Sequence, residues 1–223
     1  MYRSRFAGAA AVLLAAATAP GAPASAAVPS TSTALVLSAS ESAYGQSVTA
    51  TATVTAKPGP PQGDIVFSVD GATIKTNLGA GGSSTVILPD AMVGQHAVVA
   101  TFVPQIPADQ EGSTSPTQTW VVHQVRTRLQ VRVIGKGARI PTSVQVKAAG
   151  EYGSRPTGRV RVVVRHIGTG DLTRRVTQLD ATATTLARLG RLPKGNYRLV
   201  VTYVGDTQHL RERHVGKFYV RRR

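Results

Sequence analysis

Two short runs of the chain alternate arginine with apolar residues, a spacing that in an extended strand sends every guanidinium to the same side. Arg126, Arg128 and Arg132, with Gln130 between them, share one face of one run. Arg159, Arg161 and Arg165 share one face of a later run, opposite Val160, Val162 and Val164. A guanidinium pairs bidentately with phosphate or carboxylate, so rows of this kind suit phosphate-rich or uronic-acid polymers. These six arginines are the candidate polyanion-binding residues. The alternative is that they only solvate the surface and blunt exposed sheet edges.

Other chemistry finds little support. His96, His123, His166, His209 and His214 do not sit in a nucleophile elbow or another recognisable catalytic arrangement. His209 and His214 are five residues apart, whereas a zinc-binding helix needs four to place two ligands on one face. Gly168-Thr169-Gly170-Asp171 is a glycine turn without the helix a phosphate-binding loop requires. Asp70, Asp90, Asp109 and Glu111 lack the acidic alternation of a calcium loop. The chain has no cysteine, which excludes disulfides, thiolate metal sites and cysteine nucleophiles. We therefore expect no cofactor, no metal and no catalysis. With one tryptophan, Trp120, a sugar-stacking platform is poorly supplied, and Trp120 reads as a core or interdomain packing residue. Tyr44, Tyr152, Tyr197 and Tyr203 read as core or corner residues.

The net charge of +15 is unevenly placed. Residues 27–124 hold two lysines against six acids, a net −4, while residues 125–223 hold 22 basic residues against five acids, a net +17. Such asymmetry is what one half of a chain shows when it meets a polyanion. Arg3 and Arg5 precede an apolar run from Phe6 to Ala19, and Ala24-Ser25-Ala26 offers small residues for cleavage, so residues 1–26 are expected to be a secretory signal peptide with the mature chain starting near Ala27. The run is shorter than the ~20 residues that span a bilayer. With no second long apolar stretch, no transmembrane anchor or wall-sorting tail is expected, and the protein should be secreted, extracellular and monomeric. Arg221-Arg222-Arg223 is expected to fray.

The elements that must position these residues are strands. Val48-Thr49-Ala50-Thr51-Ala52-Thr53-Val54 places small apolar residues on one face and threonines on the other. Asp70-Gly71 is a hairpin turn signal, because both residue types tolerate positive φ. The pattern also repeats: Gly63 recurs as Gly158, 95 residues on, and Phe102 as Tyr203, 101 residues on, a period the size of one small sandwich. The expected architecture is all-β, with two tandem sandwiches at 27–124 and 125–223 joined by the short linker Val122-His123-Gln124-Val125, so that bending is limited.

The first unit resembles a bacterial immunoglobulin-like repeat of the group 3 type, common in secreted proteins of high-GC Gram-positive bacteria. The residues that carry the likeness are Thr31 to Leu35, Tyr44-Gly45-Gln46-Ser47-Val48, Pro61-Gln62-Gly63-Asp64-Ile65-Val66-Phe67 and Gly94-Gln95-His96 leading to Phe102. The second unit is similar in Pro156-Thr157-Gly158, Leu192-Pro193-Lys194-Gly195 and Tyr203-Val204-Gly205-Asp206, but has Lys136-Gly137-Ala138-Arg139 where the Tyr-Gly-Gln opening would stand. The resemblance implies two immunoglobulin-like β-sandwiches and a binding, spacer or adhesive module without catalytic residues. The expected function is a cell-surface or extracellular binding and spacer tandem, its basic second unit attaching to anionic envelope polymer or another surface protein, without specific nucleic-acid recognition. The alternatives are a carbohydrate-binding accessory chain, a secreted enzyme with an unrecognised site, and a structural protein that self-assembles through sandwich edges.

Overall fold

The computed structural model describes residues 28–222, so the expected signal peptide, Ala27 and Arg223 lie outside the described residues. Alternation of buried and exposed positions runs through nearly every strand, as a sheet with one face on a core requires. The first unit consists of β1 (Thr31–Leu37), β2 (Glu41–Ala43), β3 (Thr49–Ala56), β4 (Gly63–Val69), β5 (Ala72–Asn77), β6 (Ser83–Ile87), β7 (Gly94–Pro104), β8 (Ser113–Thr114) and β9 (Gln118–His123). Strands β1-β3-β6 form one sheet; β2-β9-β7-β4-β5, with β8 against β7, form the other. The second unit consists of β10 (Thr127–Ile134), β11 (Thr142–Gly150), β12 (Arg159–His166), β13 (Leu172–Gln178), β14 (Thr184–Gly190), β15 (Gly195–Tyr203) and β16 (Glu212–Val220). Its sheets, β10-β11-β14 and β13-β12-β15-β16, reproduce the strand order β1-β3-β6 and β5-β4-β7-β9 of the first. The fold is therefore all-β, two immunoglobulin-like sandwiches in tandem.

Each sandwich closes over its own core. In the first, the small side chains of Ala50 and Ala52 on β3 leave room for Phe67 and Phe102 on the larger sheet, both buried with Ile65, Val98 and Trp120. In the second, Val144 and Val146 pack with Val160, Val162, Val164, Leu199, Val201 and Tyr203. Trp120 is thus a core residue, its indole Nε1 donating to Ser42 Oγ at 2.9 Å. Tyr152 departs from expectation. It is exposed, with φ +53°, in the 3-10 turn Glu151–Gly153. Asp70 and Gly71, at φ +50° and +91°, form the expected hairpin turn between β4 and β5. At the C-terminus, Arg221 is held rather than frayed: its N–H donates to Lys136 O at 2.9 Å and its carbonyl accepts from Ala138 N at 2.8 Å.

A shared corner opens the same strand in both units, with different chemistry. Tyr197 Oη, two residues into β15, donates to Pro193 O at 2.8 Å, four residues upstream, and its ring stacks on Phe218. At the matching place His96 Nε2 lies 2.7 Å from Met92 O, also four residues upstream, and Nδ1 lies 2.6 Å from Asp70 Oδ2. Both neighbours are acceptors, so both contacts are made as hydrogen bonds only in the imidazolium form, with hydrogen on both ring nitrogens. Burial opposes that charge, but the Asp70 carboxylate and the Met92 carbonyl outweigh it and raise His96 above its ordinary 6.5. A pKa raised by folding contributes stability that is complete below 6.5 and is lost as pH rises through the folded value. The thermal midpoint of the first unit should therefore fall as pH rises from 6 toward 9, and His96→Gln should flatten that slope; an unchanged slope in the variant would contradict the imidazolium.

Candidate functional site

The two arginine runs occupy opposite outer faces of the second sandwich. Arg128 and Arg132 project from β10, whose inward Leu129, Val131 and Val133 pack on the core; Arg126 is exposed just before it. Arg159, Arg161 and Arg165 project from β12, in the other sheet, whose inward Val160, Val162 and Val164 line the same core. The fold therefore makes two basic faces, not one continuous patch.

Neighbouring strands enlarge the second face with cations that the arginine runs did not reveal. Arg165 lies directly across from Arg198 on β15, and Arg198 directly across from Lys217 on β16. Arg174 on β13 stands opposite Val163, and Arg213 on β16 opposite Thr202. The sequence signal was present, since Arg198 alternates with Tyr197 and Leu199 as Arg161 does with its valines, but membership of one face is a matter of register. Among the described residues, no lysine or arginine of the second unit forms an ion pair with a carboxylate; Lys75–Asp64, at 2.7 Å, lies in the first unit.

The joint between the units is built around Asp206. Its Oδ2 accepts from Thr157 N at 2.8 Å and Thr157 Oγ1 at 2.9 Å, and its Oδ1 accepts from Gln208 N at 2.8 Å, His209 N at 2.7 Å and His209 Nδ1 at 2.9 Å. Burial alone would favour the neutral acid, but these donors hold the carboxyl well below its ordinary range. The loop so fixed grips the linker: Val125 N donates to Gln208 O at 2.9 Å and Leu210 N to Val125 O at 2.8 Å. It also grips the first unit, where Val93 N donates to Gln208 Oε1 at 2.7 Å and the Tyr44 ring meets His209 edge-on at 5.7 Å. Tyr44 thus packs against the core of the first sandwich and reaches the joint as well. These contacts tie the linker and both units to the same loop.

The same loop sets Ser154 Oγ 3.1 Å from His209 Nε2, with Asp206 on the other ring nitrogen, the connectivity of a serine–histidine–carboxylate triad. The surroundings do not suit acyl transfer. The Ser154 hydroxyl is 2.7 Å from Glu151 O, the imidazole is 2% exposed, and Tyr44 and the backbone at Gly150 crowd the ring. Of the remaining histidine–carboxylate contacts, His123 Nε2 to Glu41 Oε2 at 3.1 Å is a surface pair between β9 and β2. Among the described residues, no three histidines or acids gather as a metal site would need.

Residues 35–123 match the profile of the family described as Bacterial Ig-like domain (group 3), which takes in most of the first unit and none of the second. No curated protein sequence matches the chain. Among solved structures, a tetra-tandem repeat from the extending region of a large adhesion protein aligns at 13% identity and TM-score 0.44, over 86% of this chain and 50% of that one. The chain therefore spans about half the length of that structure. The adhesin InvE of Yersinia pseudotuberculosis aligns at 15% identity and TM-score 0.42, over 83% of this chain and 58% of that one. A two-domain fibronectin type-III segment of chicken tenascin aligns at 13% and 0.39, over 77% and 91%.

Replacing Asp206 by alanine strands five donor contacts, those of Gln208 and His209 part-buried, and should destabilise the second unit by about 3 kcal/mol, read from urea unfolding near neutral pH. Because folding depresses this pKa, the Asp206 contribution is complete above 3.8 and is lost as pH falls through the folded value, so the gap between wild type and variant should narrow in acid. A variant as stable as wild type at neutral pH would refute the hub.

Proposed function

We propose that the chain acts outside the cell or on its surface as a non-enzymatic tandem, with residues 27–124 and 125–223 as its two units. The second unit attaches electrostatically to anionic envelope polymer, and the first projects as a spacer or partner-binding unit. One observation carries this reading: among the described residues, the second unit presents arginines outward on both sheets without a carboxylate partner, while the described part of the first unit carries net negative charge. Neutralising surface cations with nearby acids serves stability, whereas leaving them open serves a counter-charged partner at the expense of self-repulsion. Attachment would proceed by counterion release and many weak contacts, so it is steep in salt and poor in sequence discrimination. The match of the first unit to bacterial Ig-like domains supports a module of this kind at the surface or beyond it.

The test is retention of the chain from Ala27 onward on immobilised polyphosphate and on double-stranded DNA through a salt series. Converting Arg126, Arg128, Arg132, Arg159, Arg161 and Arg165 together to glutamine should weaken retention at least about tenfold and flatten the salt dependence, with the thermal midpoint preserved. Unchanged retention would overturn the assignment of these residues.

The triad-like contact favours a second reading, a secreted serine hydrolase centred on Ser154. The crowding of His209 argues against it, and the two separate cleanly with a fluorophosphonate probe. No labelling of the chain and no loss of any esterase signal in Ser154→Ala are expected; stoichiometric labelling of Ser154 would establish the hydrolase instead.

A further inference from the structure

Resting on the polyanion reading, we infer that the outer face of β13-β12-β15-β16 is the attachment face and that its ligand is a phosphate-bearing polymer. Like charges placed directly opposite across strands destabilise a sheet. Arg165, Arg198 and Lys217 form such a row across three adjacent strands, each about 4.8 Å from the next. No aspartate or glutamate occupies an outward position of these four strands, so nothing in the sheet relieves the repulsion. Arg161 and Arg213 flank Thr202 two outward positions further along, giving a second cationic row. The opposite face is different: Arg128 and Arg132 are separated by Gln130 along β10 and stand across from Ala149 and Gln145, so no two cations are direct cross-strand partners there.

A row of guanidinium groups at strand spacing favours phosphate over carboxylate. A planar carboxylate is satisfied by one guanidinium fork, while a phosphate directs oxygens toward more than one neighbour and so bridges adjacent arginines. Between the two cationic rows lie Val163, Val200 and Val215, with Arg174 at the β13 end of the same row. The bound anion replaces the missing counter-charge, so the site should be strained when empty and relaxed when filled.

That consequence gives the experiment. In the full chain from Ala27 onward, Arg165, Arg198 and Lys217 are changed to glutamine in one variant, and Arg128, Arg132 and Lys147 of the opposite sheet in another. Inorganic polyphosphate is the probe, with polyglutamate of matched charge and phosphatidylglycerol vesicles beside it. The first variant should lose polyphosphate affinity at least about tenfold, keep or raise its thermal midpoint without ligand, and lose the stabilisation polyphosphate confers on wild type; the second, which removes cations from the other basic face, should lose clearly less affinity than the first and keep that stabilisation. Equal or greater loss in the opposite-sheet variant, with wild type still binding in a salt-dependent way, would overturn the face while leaving electrostatic attachment standing. Polyglutamate binding as tightly as polyphosphate, or vesicles binding where polyphosphate does not, would overturn the ligand class. Absence of any binding by wild type at low salt would overturn attachment itself. Should the triple change impair folding, Arg198→Gln alone breaks the row at its centre and is read in the same way.

Discussion

The geometry of the joint depends on one carboxylate. Asp206 gathers five donor contacts from two loops, and in doing so joins the entry to β12 with the exit from β15. An ionised group this well supplied with donors resists protonation and resists motion, because every alternative position leaves several polar groups unpaired. With that loop fixed, His209, Gln208 and Val125 are fixed, and through Tyr44 and Val93 the first sandwich is seated on the second. The serine–histidine–aspartate connectivity is a product of this bracing. It has the order of a hydrolase site and the burial of a structural one.

Set against that economy at the joint, the outer surface of the second unit is electrostatically open. The fold pairs charge in Lys75–Asp64 and His96–Asp70 and surrounds Asp206 with hydrogen-bond donors, and leaves the arginines of the two outer faces without a carboxylate partner. A sandwich is well suited to both tasks. Its core is made by alternate residues of each strand, so the other alternate residues are free to carry charge without touching the packing.

The two units also show how one architecture tolerates different local solutions. The corner before the long central strand is a tyrosine hydroxyl on a carbonyl in one unit and an imidazolium between a carbonyl and a carboxylate in the other. Both tie the same turn to the same strand. The tyrosine does so independently of pH over the neutral range, since burial raises its phenol further above that range, while the histidine makes the first unit responsive to it.

Much of the fold was legible in the chain because it rests on local rules. Period-two alternation identified β3, β4, β12 and β15; Asp70-Gly71 identified a hairpin; the recurrence of Gly63 as Gly158 and Phe102 as Tyr203 identified two like sandwiches. The outward direction of Arg126, Arg128, Arg132, Arg159, Arg161 and Arg165 followed from the same alternation. What local rules cannot supply is which strand lies beside which. Only tertiary pairing put Arg198 between Arg165 and Lys217, divided the two arginine runs between opposite sheets, and carried Asp206 to Thr157, 49 residues away in the chain. Alternation decides the side of a sheet a residue faces, and register between distant strands decides its neighbours there.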